Sequence, residues 1–232
     1  MVGAITSVTL PAAALAALLS ERRAHALMRT WSRASLRALG PGLTIEDHNG
    51  GAYPDPPYLF VHLNQTSLLE TFVYAEVVPM LLRVVMNVEF ALIPVVGSSL
   101  AAMGSRIIVR QRPAQAKRTL SQLVAKMRQT GRSFAISVEG RRSPDGALLP
   151  YKSGAAHLAI SSQARVVPFF VHGTHEAMPM GSWRPRAVQM RAVVLEAIDT
   201  RGMQLSERHA LTERLRALAE QEQRAGAEPP MR

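Results

Sequence analysis

Two short stretches of the sequence contain side chains that could do chemistry. The first follows the apolar run YLFVHL and consists of Asn64, Gln65, Thr66, Ser67 and, three residues further on, Glu70. Asparagine, threonine and serine are common helix N-caps, and the helix dipole favours a carboxylate in the opening turn. A glutamine amide forms hydrogen bonds but does not titrate, so Glu70 is the one strong base of this stretch. Taken alone, this stretch is either a well-capped junction between a strand and a helix or the polar part of a site in which Glu70 is the titratable group.

The second stretch follows the apolar run FAISV and reads Glu139, Gly140, Arg141, Arg142. A glycine lets a ligand approach the backbone, and arginines bind phosphate in a bidentate manner. Lys152 stands shortly after, at the start of a predicted helix where amides and an ammonium group can bind one anion. The candidate substrate-binding residues are Asn64, Ser67, Arg110, Glu139, Gly140, Arg141, Arg142 and Lys152.

The elements that must position these side chains follow an alternating pattern. Short apolar runs at 58–63, 82–88, 106–110, 133–138 and 166–172 are separated by helical periods, among them 67–78, 114–130 and 153–162. This pattern predicts an α/β fold, a single layered domain with a largely parallel mixed sheet flanked by helices. In a parallel sheet both polar turns open at the same edge, where ligands bind. We expect the two turns to form one site.

The N-terminal part, residues 1–40, has a different character from residues 41–232. Residues 1–20 carry no charged side chain, and residues 21–39 form a predicted amphipathic helix with Arg29 and Arg33 on its basic face and Trp31 nearly opposite. A signal peptide is disfavoured because no basic residue precedes the apolar run. We predict a two-helix membrane-interface motif in which arginines meet lipid phosphates and Trp31 lies at headgroup depth. The alternative is a helical hairpin packed on the core.

Composition limits the functions that remain. The 232 residues include no cysteine, which excludes disulfides, thiolate zinc sites and cysteine nucleophiles; with no H-E-x-x-H motif either, no metal site is predicted. The formal charge of +10 favours anionic partners such as phosphate ligands, anionic lipid surfaces or nucleic acid. Nucleic-acid binding rests on charge alone, because no recognised binding motif accompanies the arginines, and we expect no nucleic-acid partner.

Four blocks within residues 59–191 resemble the glycerolipid acyltransferase family typified by 1-acylglycerol-3-phosphate acyltransferase (PlsC-like). The family's N-H-x-S-x-x-D block is similar to NQTSLLE at 64–70, and its F-P-E-G-T-R-S and F-K-x-G blocks are similar to SVEGRRS at 137–143 and YKSG at 151–154. Its proline, glycines and I-x-x-R resemble residues 93–110, and its I-V-P and G-T resemble residues 166–174.

The resemblance implies transfer of a fatty acyl group from a thioester donor, acyl carrier protein or coenzyme A. The acceptor would be a lysophospholipid, glycerol phosphate or another polar molecule. It implies no cofactor beyond the acyl-CoA or acyl carrier protein co-substrate. It also implies a peripheral or monotopic location on the cytoplasmic face of an anionic membrane.

The sequence departs from the family at the chemical centre. The family's histidine is its general base and its aspartate orients that histidine, but Gln65 and Glu70 stand at those positions. The resemblance therefore implies that Gln65 and Glu70 are the candidate catalytic pair. Three routes remain open. Glu70 could be the base, with its pKa raised by burial; His62 on the adjoining strand could replace the missing histidine; or an acceptor that needs less base, such as an amine, could be positioned between Gln65 and Glu70.

Rival functions also remain open at the sequence level. One is a catalytically silent protein that binds lipid or acyl carrier protein. Another is a hydrolase with Glu70 and Glu139 as paired acid and base, which requires carboxyl oxygens about 5 to 9.5 Å apart across an open cleft.

Overall fold

The structure is a computed structural model that describes residues 1–109 and 112–227. Its strands, β1 to β7 in chain order, are Gly42–Asp47, Tyr58–His62, Val85–Asn87, Arg106–Ile108, Phe134–Ser137, Arg165–His172 and Gln189–Val194. Its α-helices, α1 to α9, are Val2–Ala17, Glu21–Leu39, Glu70–Val77, Val88–Ala91, Val96–Ala102, Pro113–Thr130, Gly154–Ser162, Thr174–Ala177 and Arg208–Ala227. A 3₁₀ turn, Leu205–Glu207, precedes α9.

The central sheet has the strand order β1-β7-β6-β2-β5. Strand β2 is parallel to both β5 and β6, β1 is parallel to β7, and β6 and β7 are antiparallel. Strands β3 and β4 form a parallel pair, which a bridge between Val84 and Ala135 connects to β5. The prediction of a largely parallel mixed sheet is confirmed.

Helices cover both faces of this sheet, and β2 is buried along its whole length. Phe60 belongs to a core that includes side chains of α1, α2 and α3, whereas Leu59 and Val61 belong to a second core with α6, α7 and α9. Alternate residues of a strand point to opposite faces, so a strand between two helical layers is apolar at every position. The continuous apolar run in the sequence has this cause.

The N-terminal helices pack on the first core. Ser20 caps α2 by accepting the N–H of Arg23, and Gly40, with a φ of +100°, ends it. Among the described residues, no helix is both long and apolar enough to cross a membrane.

The predicted position of Trp31 at headgroup depth is wrong. Its side chain is 2% exposed, its ring centroid lies 4.8 Å from that of Phe72, and its Nε1–H donates to Thr6 Oγ1 at 3.0 Å. A tryptophan with a partner for its N–H packs well in a core, and the helical period alone does not distinguish the two environments. The basic face of α2 is also partly used, because Arg29 and Arg33 both pair with Glu76 of α3 at 3.2 Å.

Two predicted strands are shorter in the structure. The apolar run 82–88 forms a strand only at Val85–Asn87, because the Asn87 side chain accepts the Val88 N–H and α4 begins there. The run 106–110 forms a strand at Arg106–Ile108, and Arg110 lies outside the described residues.

Candidate active site

The two polar turns lie side by side at one edge of the sheet, as expected. His62 pairs in register with Ser137, so the segments after β2 and β5 leave the sheet together. The Ser143 N–H donates to the Gln65 carbonyl at 2.6 Å and joins the second turn to the first.

Glu139 holds this junction together. Its Oε2 accepts the Gln65 N–H and its Oε1 accepts the Leu149 N–H, each at 2.6 Å. The residue is 2% exposed and does not line the cleft described below. Burial raises its pKa to about 7 against the opposing effect of the two N–H groups. The sequence-based assignment of Glu139 to substrate binding is therefore corrected, because the backbone occupies both carboxylate oxygens.

Glu70 holds the first turn together by accepting hydrogen bonds from its residues. It is the first residue of α3, and its Oε1 accepts four hydrogen bonds, from Thr66 N–H at 2.8 Å and from Thr66 Oγ1, Ser67 N–H and Thr174 Oγ1 at 3.0 Å. Its Oε2 is buried, has no hydrogen-bond partner among the described residues, and lies 3.8 Å from His62 Nδ1. Burial raises the Glu70 pKa to about 8 although all four hydrogen bonds act to lower it.

His62 is fully buried under the turn. Its ring stacks on Phe169 with centroids 4.7 Å apart and meets the Tyr74 ring edge-on at 5.3 Å. Neither ring nitrogen has a hydrogen-bond partner among the described residues, and burial lowers the pKa of His62 to about 3. A neutral, enclosed imidazole that does not line the cleft has no route to an acceptor.

A cleft of about 1060 Å³ opens beside these turns. Its polar part includes Gln65, Ser67, Glu70, Gly140, Arg141, Arg142 and Lys152. Its apolar part includes Leu82, Val85, Met86, Phe90, Ile93, Leu100, Ile108 and Leu120. An amphipathic ligand with an apolar chain and an anionic end matches this division.

Asn64 also takes a structural position. Its Nδ2 donates to the Val171 carbonyl at 2.8 Å, and its Oδ1 accepts the Val171 N–H at 2.9 Å. This bridge to β6 keeps Asn64 out of the cleft lining, so its predicted contact with substrate is corrected. Ser67 lines the cleft while its Oγ donates to the Met178 carbonyl at 2.8 Å.

Several residues around the site had no role in the sequence analysis, apart from Tyr151, which belongs to the YKSG block. The Tyr151 hydroxyl donates to the Leu63 carbonyl at 2.6 Å, and the Arg216 guanidinium lies 5.2 Å from the Tyr151 ring centroid and donates to the Leu149 carbonyl at 2.8 Å. Lys117, His157 and Arg208 line the cleft itself. Helical periods place Lys117, His157, Arg208 and Arg216 on helices, but they do not say which faces of α6, α7 and α9 meet at the cleft.

Comparison with known proteins identifies the family. The sequence profile of the family described as Acyltransferase matches residues 44–172, more than half of the chain. The protein belongs to this acyltransferase family.

Two relatives and one solved structure show how far the similarity extends. A 1-acyl-sn-glycerol-3-phosphate acyltransferase of Limnanthes alba is 38% identical over 93 residues, which are 40% of this chain and 33% of that protein. The 1-acyl-sn-glycerol-3-phosphate acyltransferase alpha of Homo sapiens is 26% identical over 176 residues, 75% of this chain and 62% of that protein. The match thus spans less than two thirds of either relative.

The crystal structure of the 1-acyl-sn-glycerophosphate (LPA) acyltransferase, PlsC, from Thermotoga maritima has the same fold. Its TM-score is 0.73 at 20% sequence identity, with 91% of this chain and 87% of that chain covered. The α/β fold predicted from the sequence is confirmed by this likeness.

Proposed function

We propose that the protein is a glycerolipid-type acyltransferase. It moves a fatty acyl group from a thioester donor, acyl-CoA or acyl carrier protein, to a lysophospholipid, glycerol phosphate or another polar acceptor. One observation carries the proposal: a single cleft of about 1060 Å³ joins an apolar part to the turn carrying Gln65 and to the cations Arg141, Arg142 and Lys152. Family membership supports it, and the names of the relatives suggest the substrate class.

The chemistry follows from the groups at the turn. The acceptor oxygen or nitrogen attacks the thioester carbonyl, the new C–O or C–N bond forms, the C–S bond breaks, and the departing sulfur carries away the acceptor proton. The Gln65 side chain lines the cleft, where its amide can orient the acceptor by hydrogen bonds. The Glu70 carboxylate shapes the turn from its buried position, which makes it a positioning residue.

This arrangement favours one of the three routes open from the sequence. Glu70 as base is disfavoured because Oε1 already accepts four hydrogen bonds and Oε2 is buried, and His62 does not line the cleft. The third route, an acceptor that needs less base, asks nothing of either residue. An amine acceptor, and therefore N-acyl transfer, fits it best.

Three cations that line the cleft support a proposed site for the anionic end of a substrate near Arg142. Arg141, Arg142 and Lys152 line the cleft, and within the described part of the chain none of them pairs with a carboxylate. Unpaired guanidinium groups match phosphate oxygens in bidentate geometry. We assign the phosphate of the acceptor to this group of cations.

Membrane association at the cytoplasmic face, in a peripheral or monotopic manner, is part of the proposal. Large apolar side chains are exposed along and just after α1: Val8, Leu15, Leu18 and Leu19 are 67 to 82% exposed. Trp183 is 85% exposed and lines the cleft, so it takes the interfacial role that the sequence suggested for Trp31. The net charge of +10 favours an anionic lipid surface.

An acceptor screen tests the proposed reaction. Purified protein is incubated with long-chain acyl-CoA or acyl carrier protein and, separately, with lysophospholipids, glycerol phosphate and amino-headgroup acceptors. We expect an acylated product in at least one pairing, and its loss in Gln65→Ala. If no pairing gives a product although the donor still binds, the proposal that the protein is an acyltransferase is wrong.

That last outcome defines a second candidate, a catalytically silent binder of lipid or acyl carrier protein. The specific observation in its favour is that a non-titrating amide, Gln65, occupies the position where the family block has a histidine. The hydrolase with paired Glu70 and Glu139 has no comparable support, because both oxygens of Glu139 accept backbone N–H groups and the residue does not line the cleft.

A further inference from the structure

A second group of basic side chains, two cations and a histidine, lines the cleft and is carried by helices instead of the turn after β5. It consists of Lys117 of α6, His157 of α7 and Arg208, the first residue of α9. We call these three residues the helix cluster. None of them lies in the sequence blocks that resemble the acyltransferase family.

The members of the helix cluster act on one another. Burial is the main cause that lowers the pKa of His157, and the positive charges of Arg208 and Lys117 lower it further. All three side chains line the same cleft, and α7, which carries His157, packs against both α6 and α9, which carry Lys117 and Arg208.

No carboxylate within the described residues pairs with Lys117 or Arg208. The neighbouring Glu207 carboxylate accepts the Gln204 N–H at 2.6 Å. Three acids line the cleft: Glu70 accepts hydrogen bonds within the first turn, Asp145 accepts from Ser143 Oγ and the Ala147 N–H, and Glu89 belongs to α4. Like charges gathered without a counter-charge are unfavourable unless an anion joins them. The helix cluster thus has the composition of an anion site that needs a ligand.

We infer that the helix cluster binds the phosphate next to the pantetheine arm of the acyl donor. This inference rests on the proposed acyl transfer, in which donor and acceptor each bring a phosphate into one cleft. The group around Arg142 accounts for one anion, and the helix cluster accounts for the other. Coenzyme A and acyl carrier protein share this chemistry, since both attach the thiol through phosphopantetheine.

Direct binding tests the inference without turnover. Coenzyme A lacking an acyl group is titrated calorimetrically into the wild type, into Lys117→Ala/Arg208→Ala, and into the control Arg118→Ala/Arg214→Ala. Arg118 and Arg214 are exposed, lie on the same two helices, and do not line the cleft, so the control removes the same charge. Thermal unfolding of each variant shows that it is folded.

We expect the Kd for coenzyme A to rise by about 10-fold or more in the cluster variant, as for lost hydrogen bonds to a charged group, and to stay within about 3-fold of wild type in the control. Equal weakening in both variants would reduce the effect to net charge and overturn the site. Wild-type-like binding by the cluster variant, or no binding of any phosphopantetheine compound by the wild type, would overturn it too.

Ligand fragments identify the group and its source. 4′-Phosphopantetheine should lose affinity in the cluster variant, whereas pantetheine, which lacks the phosphate, should not; an equal loss for pantetheine contradicts the inference. If 4′-phosphopantetheine binding is weakened as expected, the Kd values of the two donors identify which one brings the phosphate. A larger rise in Kd for coenzyme A than for holo acyl carrier protein identifies coenzyme A, and the reverse identifies the carrier protein.

In the acyl-transfer assay, the cluster variant should have a raised KM for the donor and an unchanged KM for the acceptor. Because binding is measured without turnover, a protein that fails to transfer acyl groups still gives a decision on the site.

Discussion

The Glu139 carboxylate accepts the backbone N–H of Gln65 at 2.6 Å and so fixes the position of a residue that lines the cleft. Its other oxygen accepts the Leu149 N–H, and Leu149 lines the same cleft. A carboxylate placed between two backbone donors cannot be replaced by an amide without turning an N–H toward one of them. We therefore propose that Glu139 is a positioning residue whose effect on activity passes through Gln65.

Glu139→Gln should therefore displace the Gln65 turn. We expect kcat to fall by about 10-fold or more and the free energy of unfolding to fall by about 1 to 3 kcal/mol, because one buried N–H loses its acceptor. Steady-state kinetics and urea denaturation measure the two effects. Glu213→Gln, at an exposed position of α9, is the control and should change neither. Full activity in Glu139→Gln would show that the turn does not need this carboxylate.

Glu70→Gln should retain most of the activity. The amide oxygen can still accept the hydrogen bonds from the turn, while the NH₂ group takes the place of Oε2 beside His62. We expect kcat to change by less than about 10-fold, whereas loss of a general base costs typically 10² to 10⁴. A loss of about 10²-fold in a folded variant would return Glu70 to the role of base.

The stability of the protein should fall between about pH 7 and about pH 9 because of Glu70. Burial raises its pKa from 4.5 to about 8 in the folded protein, so between these two pH values the folded state holds a proton that the unfolded chain has released. This contribution is complete below pH 4.5 and is lost as the pH rises through 8. His62, with its pKa lowered to about 3, stays neutral throughout.

Denaturation at the two pH values in wild type and Glu70→Gln measures this effect. Between about pH 7 and about pH 9, the free energy of unfolding of the wild type should fall by about 1 kcal/mol more than that of the variant, since one pKa unit corresponds to about 1.4 kcal/mol. Glu139, with a pKa of about 7, is present in both proteins and cancels in the comparison. An identical pH dependence in both would show that Glu70 is ionised in the fold at neutral pH.

Gln65→His restores the residue type of the family block but should lower activity. The imidazole would have no orienting carboxylate, since Glu70 Oε1 accepts four hydrogen bonds within the fold and Oε2 is directed toward His62. We expect kcat to fall by about 10-fold or more, to the level of Gln65→Ala. The reason is that an imidazole without an orienting carboxylate does not supply the gain of about 10² or more that a general base gives. A rise in activity with a new pH dependence near about 6.5, the ordinary histidine pKa, would mean that the protein is a hydroxyl acyltransferase that lost its base.

Arg142→Lys should raise KM for the anionic acceptor with a smaller change in kcat. A lysine keeps the charge but loses the planar pair of N–H donors that matches a phosphate, so we expect about a 10-fold effect. Arg184→Lys is the matched control, because Arg184 is exposed and does not line the cleft. The same prediction applies to Arg110→Lys, which rests on the sequence alone. An unchanged acceptor KM in Arg142→Lys would place the anion elsewhere.

The sequence by itself determined the fold class and the edge of the sheet at which the site lies. Strand β2 is buried at every position and apolar except for His62 because helices cover both of its faces, and a polar turn begins two residues after the end of β2 and of β5. Parallel pairing then brings both turns together, with His62 opposite Ser137. These features are local in sequence, and periodicity and turn residues report them directly.

Only the tertiary structure decided what each polar side chain does. Glu139 is committed to the backbone of Gln65, 74 residues away in sequence, and Glu70 to Thr174, 104 residues away. Trp31 could serve a membrane surface or a core, and packing against Phe72 decides for the core. The physical reason is the same in each case: a carboxylate or an indole acquires its role from the donors and rings that folding places around it, and these come from distant parts of the chain.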